Sequence, residues 1–167
     1  MLRRMLTLRP TKKLAKQLGL RLPATTPPVV SSRVADWCVH TFPMDEESWL
    51  IFCNTASLYP VFSKGLNVTD DETLIRRAVG MILQILPENG YAAQAEIIEK
   101  ELMLGVQWAP IPDRSVLGSI NDLVQSAGYH FDDANLTPAI LSQRLGRTPM
   151  SALGMNNPAR AFATLRT

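Results

Sequence analysis

Nine of the thirteen residues from Leu74 to Leu86 are apolar, and they are distributed so that no ordinary surface helix accommodates them. Leu74, Ile75, Ala78, Val79, Met81, Ile82, Leu83, Ile85 and Leu86 cover more than half the circumference of a helical wheel. Thr73, Arg76, Arg77, Gly80 and Gln84 are left on a narrow polar edge. A helix of this kind must be covered by other elements. The most apolar part, from Ala78 to Leu86, is interrupted by Gln84 and is far shorter than the roughly 20 residues that cross a bilayer. The segment is therefore expected at the centre of a globular fold, with no membrane span. Thr69-Asp70-Asp71-Glu72 reads as a capping box at its start, and Pro87 with Gly90 reads as its stop. A second helix, from about Tyr91 to Met103 and closed by Gly105, carries Ala95, Ile98 and Leu102 at helical spacing and completes a helical hairpin.

Strand signals supply the cover. Asp36-Trp37-Cys38-Val39-His40-Thr41-Phe42 and Ser48-Trp49-Leu50-Ile51-Phe52-Cys53-Asn54 are rich in aromatic and branched residues and flank a polar turn, Met44 to Glu47, so they are expected to pair as a hairpin. Ser57 to Phe62 is a third run, placed at an edge by Pro60, which has no amide to donate. Leu6-Thr7-Leu8 alternates as a short first strand. Thr11 then caps a helix bearing Leu14, Ala15 and Leu18 that stops at Gly19. Val106 to Ala109 is a last short strand before Pro110 and Pro112. From Ser115, the residues Val116, Leu117, Ile120, Leu123, Val124 and Ala127 form an apolar stripe, with Ser115, Gly118, Ser119, Asp122 and Ser126 opposite. Thr137-Pro138 and Asn157-Pro158 start two further helices. The expected fold is α+β, a small antiparallel sheet packed against four or five helices. It forms a single domain over residues 1–167, with residues 23–32 an extended connector.

Charge is segregated along the chain. Residues 1–21 and 134–167 hold eleven basic residues and no acid, while all fifteen acids lie between Asp36 and Asp133 with six basic residues, so the net charge of +2 combines +11 at the ends with −9 in the middle. Arg9, Lys12, Lys13 and Lys16 are the candidate basic surface, a footprint suited to phosphates. Trp37, Trp49 and Tyr59 alternate with apolar residues and read as core, not as base-stacking platforms. Two cysteines make no disulfide framework, which points to a reducing compartment and a cytoplasmic location. The Arg-rich start also imitates an organelle transit peptide.

No cluster identifies a reaction, so no catalytic residue and no cofactor are assigned. Cys38 and His40 share a strand face within reach of Cys53, but no nearby fourth ligand completes a zinc tetrahedron, and no metal is assigned. Ser115, Asp122 and His130 are the right types for a triad, yet a continuous helix holds the first two about 10 Å apart. The strongest candidate for binding is the start of the helix at Arg114. An Arg at the mouth, with Ser115, Ser119, Asn121 and Asp122 along the polar side, can hold an anion where free amides and the helix dipole favour negative charge. The spacing matches no nucleotide-binding loop.

Thr11-Lys12-Lys13-Leu14, Asp36-Trp37, Leu50 to Tyr59 and above all Arg114-Ser115-Val116-Leu117-Gly118-Ser119-Ile120-Asn121-Asp122-Leu123 resemble a family of small bacterial proteins catalogued as a domain of unknown function. The helix motif departs from the family's form only at Ile120, where Met is usual. The resemblance implies a bacterial or mobile-element setting and no mechanism. The leading expectation is a non-enzymatic protein that docks a macromolecular partner, another protein, in a plasmid, phage-defence or toxin–antitoxin setting. The alternatives are nucleic-acid binding through the basic termini, and an enzyme or small-anion site at the Arg114 helix.

Overall fold

The computed structural model describes residues 4–25, 27 and 31–166. The start Met1–Arg3 and part of the connector expected at 23–32 lie outside the described residues. The chain order is β1 (Leu6–Pro10), α1 (Lys12–Leu18), β2 (Asp36–Met44), β3 (Glu47–Asn54), β4 (Pro60–Lys64), α2 (Asp71–Glu88), α3 (Ala92–Leu102), β5 (Val106–Trp108), α4 (Arg114–Gly128), α5 (Pro138–Gly146) and α6 (Pro158–Ala163). The fold is α+β, as expected.

The five strands form one sheet in the order β4-β3-β2-β1-β5. Its β2-β3-β4 half is antiparallel and follows from the hairpin, with Met44 paired to Glu47 across a two-residue turn. Asp45 (φ 49°) and Glu46 (φ 64°) both lie in the left-handed region, which gives the turn the primed twist that matches the strands. Pro60 begins β4 at the edge, where its missing amide costs no ladder bond. The sheet as a whole is mixed, because β1 pairs in parallel with both β2 and β5. The cause is connectivity: α1 and the segment after it carry the chain back before β2, and α2 with α3 carry it back before β5. Such crossovers return strands in parallel.

Helices cover both faces. On one, Leu6, Leu8, Trp37, Val39, Phe52 and Val61 meet Leu74, Ala78, Ile82 and Leu86 of α2, Ile98 of α3 and Phe162 of α6. The apolar helix is therefore central, and its polar edge is also used. Arg77 donates to the Ser63 hydroxyl and to the carbonyls of Lys64 and Leu66, which ties α2 to the end of β4. On the other face Cys38, Phe42, Ile51, Cys53 and Phe62 meet Ile120, Leu123 and Ala127 of α4 and Leu141 and Leu145 of α5. Phe162 lies among Trp37, Tyr59 and Tyr91, with ring centroids 5.8, 5.2 and 5.0 Å away.

Thr11, Thr137 and Asn157 cap α1, α5 and α6 as expected. At α2 the cap sits one residue later. The Asp70 carboxylate accepts from Thr73 N at 2.8 Å and the Thr73 hydroxyl accepts from Asp70 N, while Glu72 pairs with Arg76 one turn on. A carboxylate outcompetes a hydroxyl for this position because its acceptor carries full charge at the positive end of the helix. Helix α2 also runs through Pro87 to Glu88, since near the exit the proline forfeits one bond only.

Candidate functional site

β1 and β5 are parallel neighbours, so their carboxyl ends lie side by side, and each leads into a helix. Crevices at such strand ends are where sheets with helices on both faces take ligands. A cavity of about 760 Å³ opens there. Pro10, Thr11, Lys12 and Lys13 form one wall and Leu22, Pro23 and Ala24 another. His40 also lines the cavity. Pro110, Ile111, Asp113, Arg114, Leu117 and Asn121 close the far side.

Arg9 ties the strands to the Pro110 segment that lines the cavity. Its guanidinium grips Asp36 with Nε–Oδ1 at 2.7 Å and Nη2–Oδ2 at 2.9 Å, and Nη1 donates to the Pro110 carbonyl at 2.7 Å. One side chain thus joins β1, β2 and the loop before α4. Arg9 is 7% exposed, so its assignment to the basic surface is corrected: it is an internal strut. Burial works against its charge, but the Asp36 carboxylate outweighs this and raises its pKa. Thr55 Oγ1 donates to Asp36 at 2.7 Å and lies 3.3 Å from Cys38 Sγ, which extends the network to the second core. Lys12, Lys13 and Lys16 are exposed as expected, and none has an ion pair among the described residues.

His40 Nδ1 is 3.1 Å from Thr11 Oγ1, and that oxygen also caps α1 by accepting from Leu14 N at 3.4 Å. Burial, and then the charge of Lys13, lower the pKa of His40, which favours its neutral form at neutral pH. Cys38 and Cys53 face each other across β2 and β3, free and buried; burial pushes the Cys38 thiol up to about 12 and raises Cys53 as well. These are protonated core thiols. Among the described residues no group of three or more His, Cys, Asp or Glu is arranged to hold a metal.

The Arg114 motif divides between two flanks of α4. Arg114, Leu117 and Asn121, spaced by three and four residues, face the cavity. Ser119 and Asp122 line a separate hollow of about 280 Å³ beside Ser126 and Met150. Ser119, read as part of the polar side, is buried at 6% exposure, and its hydroxyl turns back to the Ser115 carbonyl at 3.0 Å. Ser115 is exposed and lines neither space. Of the five predicted binding residues, Arg114 and Asn121 therefore come together at one site. The sequence reading missed that Lys12 and Lys13 meet them there and that His40 lines the same cavity. The available signal was the repeated order of short strand, turn and capped helix at both places.

A family model described as a domain of unknown function, DUF6933, matches residues 7–161, and the chain belongs to that family. A comparison with curated proteins returns no match. No described helix is long and apolar enough to cross a membrane.

Proposed function

We propose that this member of the DUF6933 family is a binding protein whose cleft between α1 and α4 receives an anionic group. The observation that carries this is the convergence of Lys12, Lys13 and Arg114 on one cavity whose described lining residues include a single carboxylate, Asp113. That carboxylate is engaged, because it caps α4 by accepting from Val116 N at 3.0 Å. Asn121 adds an amide donor and a neutral His40 adds a ring nitrogen. A binder fits better than a catalyst here. Among the described lining residues the only hydroxyl is that of Thr11, 6% exposed and committed to the helix cap, so it is poorly placed to act as a nucleophile.

A second reading is supported by Lys16 and Arg21, which are exposed, have no ion pair among the described residues and add positive charge outside the cleft lining. In it the anionic group belongs to a macromolecule, an acidic protein segment or a nucleic acid. A bacterial cytoplasm suits either reading, since two buried cysteines facing each other stay reduced there.

The test is a titration of 15N-labelled protein with inorganic phosphate, followed by amide shifts. The expected result is a saturable change confined to residues 11–13, 40 and 110–121, weakened at least fivefold in Arg114→Gln. Changes scattered over the surface, or unaffected by that substitution, would overturn the proposal. Both Arg114 and the lysines are exposed, so the variants should fold.

A further inference from the structure

The cleft has two kinds of surface, and their pairing restricts the ligand beyond its charge. Among its described lining residues, Lys12, Lys13 and Arg114 against Asp113 leave two positive charges uncompensated. A group carrying close to two negative charges matches them. A phosphate monoester, at about −1.5 to −2 at neutral pH, is such a group. A planar arginine fork beside lysine point charges suits the tetrahedral oxygens of phosphate.

Much of the remaining lining is apolar, and part of it is rigid. Pro10, Leu22, Pro23, Pro110, Ile111 and Leu117 present three proline rings and three branched side chains to the same space. Proline has no rotamer freedom to lose when a ring lies on it, so the surface is prepared for a flat body. At about 760 Å³ the cavity is much larger than a phosphate ion and falls in the range that holds drug-sized ligands. Asn121, which can both donate and accept, adds a means of recognising a polar ring edge.

We propose that the ligand of the cleft is a phosphate monoester carried on a flat, largely apolar ring system; this rests on the anion-binding reading above. Lys12, Lys13 and Arg114 hold the phosphate and the proline-lined wall holds the ring. The same chemistry is offered by a nucleoside monophosphate and by a non-nucleotide aromatic phosphate.

The experiment is calorimetry on the full chain at fixed ionic strength with 1-naphthyl phosphate, adenosine 5′-monophosphate, glycerol 3-phosphate and phthalate. At least one ring-bearing monoester should bind ten times more tightly than glycerol 3-phosphate, and the tighter of the two identifies the source. Leu22→Ser should remove that advantage and leave glycerol 3-phosphate unchanged. Leu22 belongs to neither hydrophobic core, so this variant should fold. Glycerol 3-phosphate binding as tightly as both ring compounds would overturn the ring, and phthalate binding as tightly would overturn the phosphate, with the anion site standing in each case. An acidic peptide outcompeting every monoester at these residues would overturn the small-ligand assignment in favour of a macromolecule. No shift at the cleft with any anion would remove the underlying reading itself.

Discussion

The antiparallel half of the sheet is dry where the parallel half is polar. On the face under α4 and α5, strands β2 to β4 present Cys38, Phe42, Ile51, Cys53 and Phe62. The same face of β1 and β5 presents Thr7, Arg9 and Gln107, all at least nine-tenths buried. Thr7 Oγ1 accepts from Gln107 Nε2 at 2.7 Å and from the Ser31 hydroxyl at 2.9 Å, and Arg9 is held by Asp36 and Pro110. The two halves divide labour. The dry half holds through non-directional burial and tolerates small shifts, whereas the polar half holds only while each donor meets its acceptor. The cleft opens from the polar half, whose directional bonds fix the positions of α1 and the loop before α4.

Breaking the polar half should have the larger effect. Asp36→Ala leaves the Arg9 guanidinium buried without its carboxylate and is expected to cost about 3 kcal/mol in urea unfolding, as for other broken buried pairs. A loss below about 1 kcal/mol would mean that water reaches Arg9 and that the half is less closed than described. Alkali probes the dry half. The raised thiol pKa of Cys38 means that the folded chain keeps a proton the unfolded chain releases above about 9, so its contribution is complete below that pH and declines toward about 12. At pH 10 the loss is on the order of 1 kcal/mol. Cys38→Ala should flatten the alkaline limb of the stability profile, and an unchanged limb would refute the assignment. The smallest effect concerns the hairpin turn. Glu46→Gly relieves a left-handed conformation at φ 64° and should raise stability by roughly 0.5 to 1 kcal/mol, read as a higher midpoint at unchanged slope. Destabilisation would mean that the Glu46 side chain anchors the turn.

The same contrast explains what the sequence disclosed. The hairpin, the edge strand marked by Pro60 and the cap pairs Thr11–Gly19 and Thr137–Pro138 depend on residues within a few positions of one another, so local pattern revealed them. The place of β1 between β2 and β5 did not show, because the alternation of Leu6-Thr7-Leu8 marks a strand with one polar face and does not reveal that Thr7 and Arg9 on that face are buried. Arg9 read as surface charge because only its spatial neighbour Asp36 reveals that it is internal. In the site, Arg114 and Asn121 were legible from helical spacing on α4. Lys12, Lys13 and His40 were not linked to them, since their approach is set by tertiary packing across some hundred residues.

That separation has a kinetic side. The Gln107 to Thr7 bond closes a span of 100 residues, so the β1–β5 pairing carries a large loop-closure entropy and is expected to form after the local hairpins. The cleft walls come from the same two distant stretches, residues 10–24 and 110–121. An occupant touching both would act as a clasp on the last-formed contact. It should slow unfolding while leaving the folding rate almost unchanged, the pattern of an interaction absent from the transition state.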